Sequence, residues 1–378
     1  MKIFYLASVR IPSEKASGLA IARQCEAFVE IGHTVELFVP RRSNEEKALI
    51  NDVYGFDPKF KVKYFKANSI YSLGKLGFFL MLMRDAIKLL ISYLKTEIKP
   101  DIIYSRDHRL LFLFILFGLK EKCFIEMHTK HDDFITKYVL KRAKKVIVIS
   151  QGLADFYSEL IDRADIQVEP SGVYLKQFEN LPDSNVSKQK LSLPINKKIF
   201  AYIGKYKTMG EEKGVDEIIV SFAKIVSKYP EAFLYLVGIE DSEVEQVSQL
   251  SKENGLELGK NMMIEKLDQS MFAQYLNASD VLLMNYPNTE HYAKYMSPTK
   301  LFAYMAVGKP IISSSLESIK SILNNDSIMF SEAKNTALFL EAMEKSLEEY
   351  ELLKYKAGKN LEIVNKYSWN QRGLRICS

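Results

Sequence analysis

The sequence predicts an α/β protein made of two successive doubly wound parallel-sheet domains. Three observations carry this. Short apolar strand patterns alternate with segments of helical periodicity, which makes βαβ units, because parallel neighbours need crossover connections. The alternation stops at a polar stretch, NLPDSNVSKQKLSLPINKK, and then begins again. The 378 residues, 47% apolar and 26% charged, are enough to bury two ordinary cores.

The first series opens with KIFYLAS, a buried-strand pattern, then a loop from Val9 to Gly18, then LAIARQCEAFVEIGH with helical spacing. TVELFVP reads as the second strand, and DIIYS (101–105), KCFIEMH (122–128) and KKVIVIS (144–150) continue the pattern with apolar helical segments between them. The second series runs through IFAYIG (199–204), a helix from Val215 to Tyr229, FLYLVG (233–238), NMMIEK (261–266), DVLLMNY (280–286), a helix near Lys300 to Val307, and PIISS (310–314). Residues 1–178 are therefore expected as one domain, 179–198 as a linker and 199–355 as the other. Sheets of this kind bind ligands beyond the carboxyl ends of their strands, which places the expected ligand between the two domains.

Composition narrows the partners. The formal charge is +5, and residues 1–180 hold 28 Lys and Arg against 22 Asp and Glu, whereas the remainder is balanced at 24 against 25. Such a surplus suits an anionic membrane surface or a phosphorylated acceptor, or is plain solvated surface, and is too diffuse for nucleic acid. Cys25, Cys123 and Cys377 have neither disulfide nor metal-ligand spacing, which fits a reducing cytoplasm. The chain opens directly into a strand, and its longest apolar run, Leu110 to Leu119, is half of a membrane span, so neither signal segment nor transmembrane helix is expected. Residues 71–96 read as an amphipathic helix with Leu73, Leu76, Leu80, Met83, Ile87, Leu90 and Leu94 on its apolar face and Lys75, Arg84, Lys88 and Lys95 interspersed. A core-facing helix accounts for that pattern first, and a helix lying at a bilayer interface second.

Four places could carry chemistry. In VRIPSEKASGLA, Gly18 stands just before the first helix, whose free amides and positive dipole end suit a phosphate; an ordinary strand-to-helix turn is the alternative. In YIGKYKTMGEEKGVDEII, Lys205 lies just past a strand end and Lys213 just before a helix, so two ammonium groups could neutralise a diphosphate, although surface lysines are common. In HYAKYMSPTKLFAYMAVGKPIISS, Ser297 and Pro298 mark a helix start, and the amides there, with Thr299 and the Lys300 ammonium, form a second anion cradle; a plain Ser-Pro cap reads equally well. His128 ends the strand KCFIEMH, where ligand-facing residues stand, though a lone His is more often structural. His131, Asp132 and Asp133 follow it without a third metal ligand, and no GxSxG, HExxH or P-loop is present.

In their order and spacing these segments resemble family 4 of the retaining glycosyltransferases, group 1, along nearly the whole chain. The matching stretches are GHTVELFVP, KPDIIYSRD, FIEMH, AKKVIVISQGL, PSGVYLKQF, YIGKYKTMGEEKG, LYLVGIED and SPTKLFAYMAVGKPIISS. The resemblance implies a GT-B fold: two Rossmann-like domains facing across a cleft, the N-terminal one for the acceptor and the C-terminal one for a nucleoside diphosphate sugar, with UDP or GDP as the nucleotide. It makes Lys205 and Lys213 the basic pair on the donor diphosphate, places Ser297, Pro298, Thr299 and Lys300 around the same phosphates, brings Gly18 toward them from the other domain, and sets His128 beside the transferred sugar. No metal ion and no cofactor are implied. The segment 356–378, ending YSWNQRGLRICS, resembles a terminal helix that returns to the first domain.

Two departures stand out. The family's two glutamates, separated by seven residues, fall at Tyr295 and Ala303, so neither carboxylate is present. The second normally binds the donor ribose, and losing that buried partner weakens binding by roughly 1–3 kcal/mol. A natural variant, an introduced Glu→Ala change and a non-catalytic paralogue all account for Ala303, and Ser171 stands where PNG is common. The expected activity is retaining transfer of a sugar to a saccharide or lipid-linked saccharide in polysaccharide biosynthesis. A catalytically impaired nucleotide-sugar-binding or scaffold subunit is the alternative, and a GT-B epimerase ranks last. The expected site of action is the cytoplasm, with peripheral contact on the inner face of the cell membrane through the N-terminal domain as the further reading.

Overall fold

The structure, a computed structural model, describes residues 1–13, 15–41, 49–67, 74–208 and 210–378, with Lys75 and Thr208 by backbone alone. The chain divides into two compact units. The first comprises Met1–Gly172, Tyr295–Ser297 and Trp369–Ser378; the second comprises Val173–Lys294 and Pro298–Ser368.

In the first unit seven strands form one parallel sheet: β1 (Lys2–Leu6), β2 (Thr34–Arg41), β3 (Lys61–Lys66), β4 (Ile102–Ser105), β5 (Cys123–Met127), β6 (Lys145–Val148) and β7 (Ile166–Val168), in the order β3-β2-β1-β4-β5-β6-β7. The chain reverses its direction of winding between β1 and β4, whose registers end at Leu6 opposite Ser105, with Ser105 in turn opposite Ile125 of β5. Helices α1 (Ala16–Glu30), α2 (Ile50–Tyr54), α3 (Gly74–Lys95), α4 (His108–Leu116), α5 (Phe134–Arg142) and α6 (Gln151–Ile161) alternate with these strands. Two apolar clusters cover the sheet, one around Phe4, Ile103, Ile125 and Val146 and the other around Tyr5, Leu37, Tyr104 and Phe28. Burial on both faces explains why these strands read as continuous apolar runs.

The second unit starts with α7 (Ser184–Lys190) and builds a parallel sheet from β8 (Lys198–Ile203), β11 (Ala232–Val237), β12 (Met262–Glu265), β13 (Val281–Met284), β14 (Ile311–Ser314) and β15 (Met329–Ser331), in the order β12-β11-β8-β13-β14-β15. A two-stranded hairpin, β9 (Lys207–Thr208) and β10 (Glu211–Glu212), follows β8. Its helices are α8 (Val215–Lys228), α9 (Asp241–Glu253), α10 (Phe272–Ala278), α11 (Thr299–Ala306), α12 (Glu317–Lys320), α13 (Thr336–Glu348), α14 (Tyr350–Gly358) and α15 (Asn360–Ile363). The last helix, α16 (Trp369–Cys377), belongs to the first unit.

Several expectations need correction. The polar stretch 179–198 is not all linker, since α7 lies inside it, capped by Asp183 accepting from Asn185 N–H at 2.8 Å. Its polarity misleads because Lys188 is buried against Asp280, 2.7 Å away. The first helix begins at Ala16 and not after Gly18. The expected helix 71–96 is described from Gly74 to Lys95, so Leu73 and the Lys75 side chain lie outside the described residues. It buries Met81, Leu82, Ala86, Leu89, Leu90 and Tyr93, yet leaves Leu76, Leu80, Ile87, Ile91 and Leu94 exposed, so a core-facing role accounts for only one of its two apolar faces. Among the described residues no helix is long and apolar enough to cross a membrane.

Candidate active site

In the second unit the winding reverses between β8 and β13, and the candidate residues of that half collect at the carboxyl ends of those two strands. Lys205 follows β8 and pairs with Glu240 at 2.9 Å while remaining 43% exposed. Lys213 follows the hairpin, half-buried; burial and then the Lys205 ammonium pull its pKa down to about 8. Lys300 comes from the first turn of α11. Its Nζ is buried without a hydrogen-bond partner, 3.5 Å from the centre of the Tyr202 ring and 5.7 Å from that of Tyr286. Burial, and then Lys213, hold its pKa well below the ordinary lysine value, with Glu212 opposing.

The local backbone explains how these groups are held. Gly214 adopts φ +78°, the left-handed region, and a Cβ there would lie 1.6 Å from the Asn285 carbonyl oxygen, so β10 can turn into α8 beside β13 only without a side chain. Glu212 then fills the amino end of α8: its carboxylate accepts from Gly214 N–H at 2.7 Å and from Val215 N–H. Helix α11 is different. Pro298 precedes it without a side-chain cap, so its first turn lacks the carboxylate that Glu212 supplies to α8, and there Leu301 N–H bonds the Pro298 carbonyl at 3.0 Å. It is fixed to the sheet by Tyr304, whose hydroxyl accepts from Ile203 N–H at 3.0 Å and donates to the Leu283 carbonyl at 3.3 Å. An uncapped helix start beside a buried, unpartnered ammonium is an anion site by charge and by donor count.

Ser297 does not cap α11, as a Ser-Pro start suggested; its Oγ accepts from Ser171 N–H at 2.8 Å, within the first unit. Ala303 is buried in α11 and Tyr295 is buried in the short turn before it, so neither position presents a carboxylate. Pro298 has no N–H to donate, and Thr299 opens α11 exposed.

In the first unit His128 follows β5. Its Nε2 lies 2.6 Å from Glu126 Oε1, and the imidazole is 32% exposed. Glu126, fully buried, is held by Arg106 Nε at 3.1 Å on one oxygen, and on the other by Arg372 Nη2 at 3.0 Å and the Tyr104 hydroxyl. Burial would push its carboxyl up, but Arg106, Arg372 and the bond from His128 keep it well below the usual range. Burial and then Arg106 lower the His128 pKa. Arg372 comes from α16, where it also donates to the Glu169 and Pro170 carbonyls. Glu126, Arg106 and Arg372 were missed in the sequence, although a glutamate inside an otherwise apolar buried strand was a visible signal.

The other first-unit candidates fare differently. Gly18 N–H is already bonded to the Lys15 carbonyl at 3.0 Å, and a Cβ on Gly18 would lie 2.3 Å from Tyr54 Oη, so packing against that tyrosine accounts for the glycine. Asp133 caps α5 by accepting from Thr136 N–H at 3.0 Å, and the His131 ring packs 5.1 Å from that of His108, so HTKHDD is spent on local structure.

Two doubly wound parallel sheets of this kind are the architecture of the GT-B fold. The profile for Glycosyltransferase Family 4 matches residues 19–177, and that for Glycosyl transferases group 1 matches residues 197–349. The chain belongs to this family. Comparison with curated proteins returns no match. Among solved structures, sucrose-phosphate synthase from Thermosynechococcus elongatus is similar with TM-score 0.77 and 17% identity, over 100% of this chain and 98% of that one. HepE from Anabaena, in complex with UDP, gives 0.73 and 15% over 100% and 98%. The lipopolysaccharide outer core galactosyltransferase WaaB gives 0.67 and 16% over 100% and 99%.

Proposed function

We propose that this glycosyltransferase moves a sugar from a nucleoside diphosphate sugar to a saccharide or lipid-linked saccharide acceptor, with retention of configuration, in polysaccharide biosynthesis. The second unit takes the donor and the first the acceptor. The observation that carries the reading is the buried Lys300 Nζ, unpartnered at the uncapped start of α11 beside Lys213. Lys205, Lys213 and Lys300 stabilise the charge that grows on the leaving diphosphate, and the acceptor hydroxyl attacks the same face of the sugar. His128 contacts the sugar. Diphosphate neutralisation is assigned to lysines and helix amides, with no metal ion. UDP is favoured over GDP because HepE is similar along its length and has been solved with UDP and with UDP-glucose.

The protein acts in the cytoplasm, and the exposed apolar stripe of α3 supports peripheral contact with the inner face of the cell membrane. Ala303 supports the second reading, a nucleotide-sugar-binding subunit with impaired turnover. The test is thermal stabilisation by a panel of UDP-, GDP-, dTDP- and CMP-sugars. One base is expected to stabilise the chain, more strongly in Ala303→Glu and not in Lys300→Met. Stabilisation unchanged in Lys300→Met would remove the donor site from α11, and stabilisation without sugar transfer would favour the binding subunit.

A further inference from the structure

An ionised carboxylate inside a sheet is costly unless it is fully compensated, and an apolar side chain of like volume often serves stability as well or better. Glu126 is such a carboxylate, in the middle of the buried pattern of β5. Two guanidinium groups and the Tyr104 hydroxyl converge on it, which is more positive charge than one carboxylate requires for neutrality. Packing alone does not call for this arrangement. Its outward consequence is a single bond: Oε1 to His128 Nε2, at 2.6 Å.

The chemistry of that bond is one-sided. An ionised carboxylate can only accept, so Nε2 must carry the proton, and in the neutral ring Nδ1 is then left with a lone pair. Nδ1 has no hydrogen-bond partner among the described residues, and the ring is about a third open, at 32%. We propose that Glu126 is a positioning residue that holds His128 as its Nε2–H tautomer and presents Nδ1 as the acceptor for a hydroxyl of the transferred sugar, with Arg372 of α16 fixing the carboxylate from behind. The proposal rests on the reading of His128 as a sugar contact. Arg372 has a further role in it: the guanidinium that orients Glu126 also bonds the Glu169 and Pro170 carbonyls and the Gln24 side chain, so the carboxylate cannot swing away from His128.

The charged and titratable groups packed against the pair are Arg106, Arg372, Tyr104 and Tyr5. Burial raises both tyrosines, and burial with Arg106 lowers the imidazole, which favours the neutral ring that leaves the Nδ1 lone pair open.

Three measurements on the full chain test the proposal. Nitrogen-15 NMR of histidine-labelled protein, with His128 assigned through His128→Asn, is expected to show Nε2 protonated and Nδ1 bare. The opposite tautomer overturns the proposal, whatever the kinetics. Turnover, read as UDP release from UDP-glucose, is expected to fall about 10- to 100-fold in kcat for Glu126→Gln with KM little changed, by analogy with the partners that orient metal-bound histidines. In a His128→Asn background the same change is expected to cost nothing further, because the two act through one contact. Additive losses would mean that Glu126 serves the fold alone. If Glu126→Gln does not fold, Glu126→Gln with Arg372→Met removes one charge of each sign and takes its place in both experiments. Wild-type turnover in His128→Asn would remove the sugar contact itself; loss there with full turnover in Glu126→Gln would remove only the positioning role.

Discussion

Three ammonium groups lie near one another at the carboxyl end of the second sheet, and their repulsion sets how donor binding responds to pH. Lys213 has a pKa of about 8 in the free protein because burial and Lys205 disfavour its charge. A diphosphate beside it favours the ammonium form and returns its pKa toward the ordinary value, so binding takes up a proton above pH 8. From Lys213, affinity for UDP is therefore expected to weaken above pH 8, by up to about tenfold per pH unit for one linked proton, and Lys300, also lowered by burial, adds proton uptake of the same sign. Calorimetry in two buffers of different ionisation enthalpy reads that proton directly. In the free protein the sign is opposite. A lysine depressed in the folded state penalises folding most below its folded pKa, so the Lys213 contribution improves as pH rises from about 8 through the unfolded value. Lys213→Met should flatten both dependences; an unchanged slope would place the linked proton elsewhere.

At the scale of elements, the turn from β10 into α8 holds this geometry. Gly214→Ala must both accept the left-handed backbone and displace the Asn285 carbonyl. We expect a loss of about 3 kcal/mol, the upper end of the range for forced overpacking, read as a fall in the denaturation midpoint at constant slope. A loss below about 0.5 kcal/mol would show that the turn relaxes freely, since that is the scale of neutral surface changes. The strands of both sheets were legible because burial on two faces makes them short apolar runs. Edge strand β3, KVKYFK, was not, since its exposed face alternates charge into the pattern, and β7 and β15 are three residues each, too short to show a period. Helix α7 was hidden by a lysine that is buried through its ion pair with Asp280. In the site, Lys205, Lys213 and Lys300 could be picked out by their places at strand and helix ends. Glu126 showed only as a lone charge in an apolar strand, and its pairing with Arg372 was not legible, because 246 positions separate them and the ion pair exists only once α16 has docked.

At the scale of the whole molecule, two surfaces carry expectations. The stripe Leu76, Leu80, Ile87, Ile91 and Leu94 on α3, flanked by Arg84, Lys88 and Lys95, should bind vesicles containing anionic lipid and release them at high salt, while Ile87→Asp with Ile91→Asp should abolish co-sedimentation and leave nucleotide binding intact. Binding unaffected by either salt or the double substitution would assign the stripe to something other than a membrane. The second surface is the docking of α16. Its residues follow the second unit in sequence but pack in the first, with Trp369 and Ile376 buried and Arg372 and Arg375 paired to Glu126 and Glu169. Ending the chain at Ser368 would strip the half-exposed Arg375 from Glu169 and the buried Arg372 from Glu126, which keeps Arg106; loss of one member of a buried pair costs up to about 3–5 kcal/mol. Because those lost contacts lie within the first unit, hydrogen exchange in the shortened chain should accelerate in β1, β4 and β5 while β8, β11 and β13 keep their protection. Arg372→Met should reproduce part of the effect, and equal acceleration in both sheets would mean that the two units unfold as one.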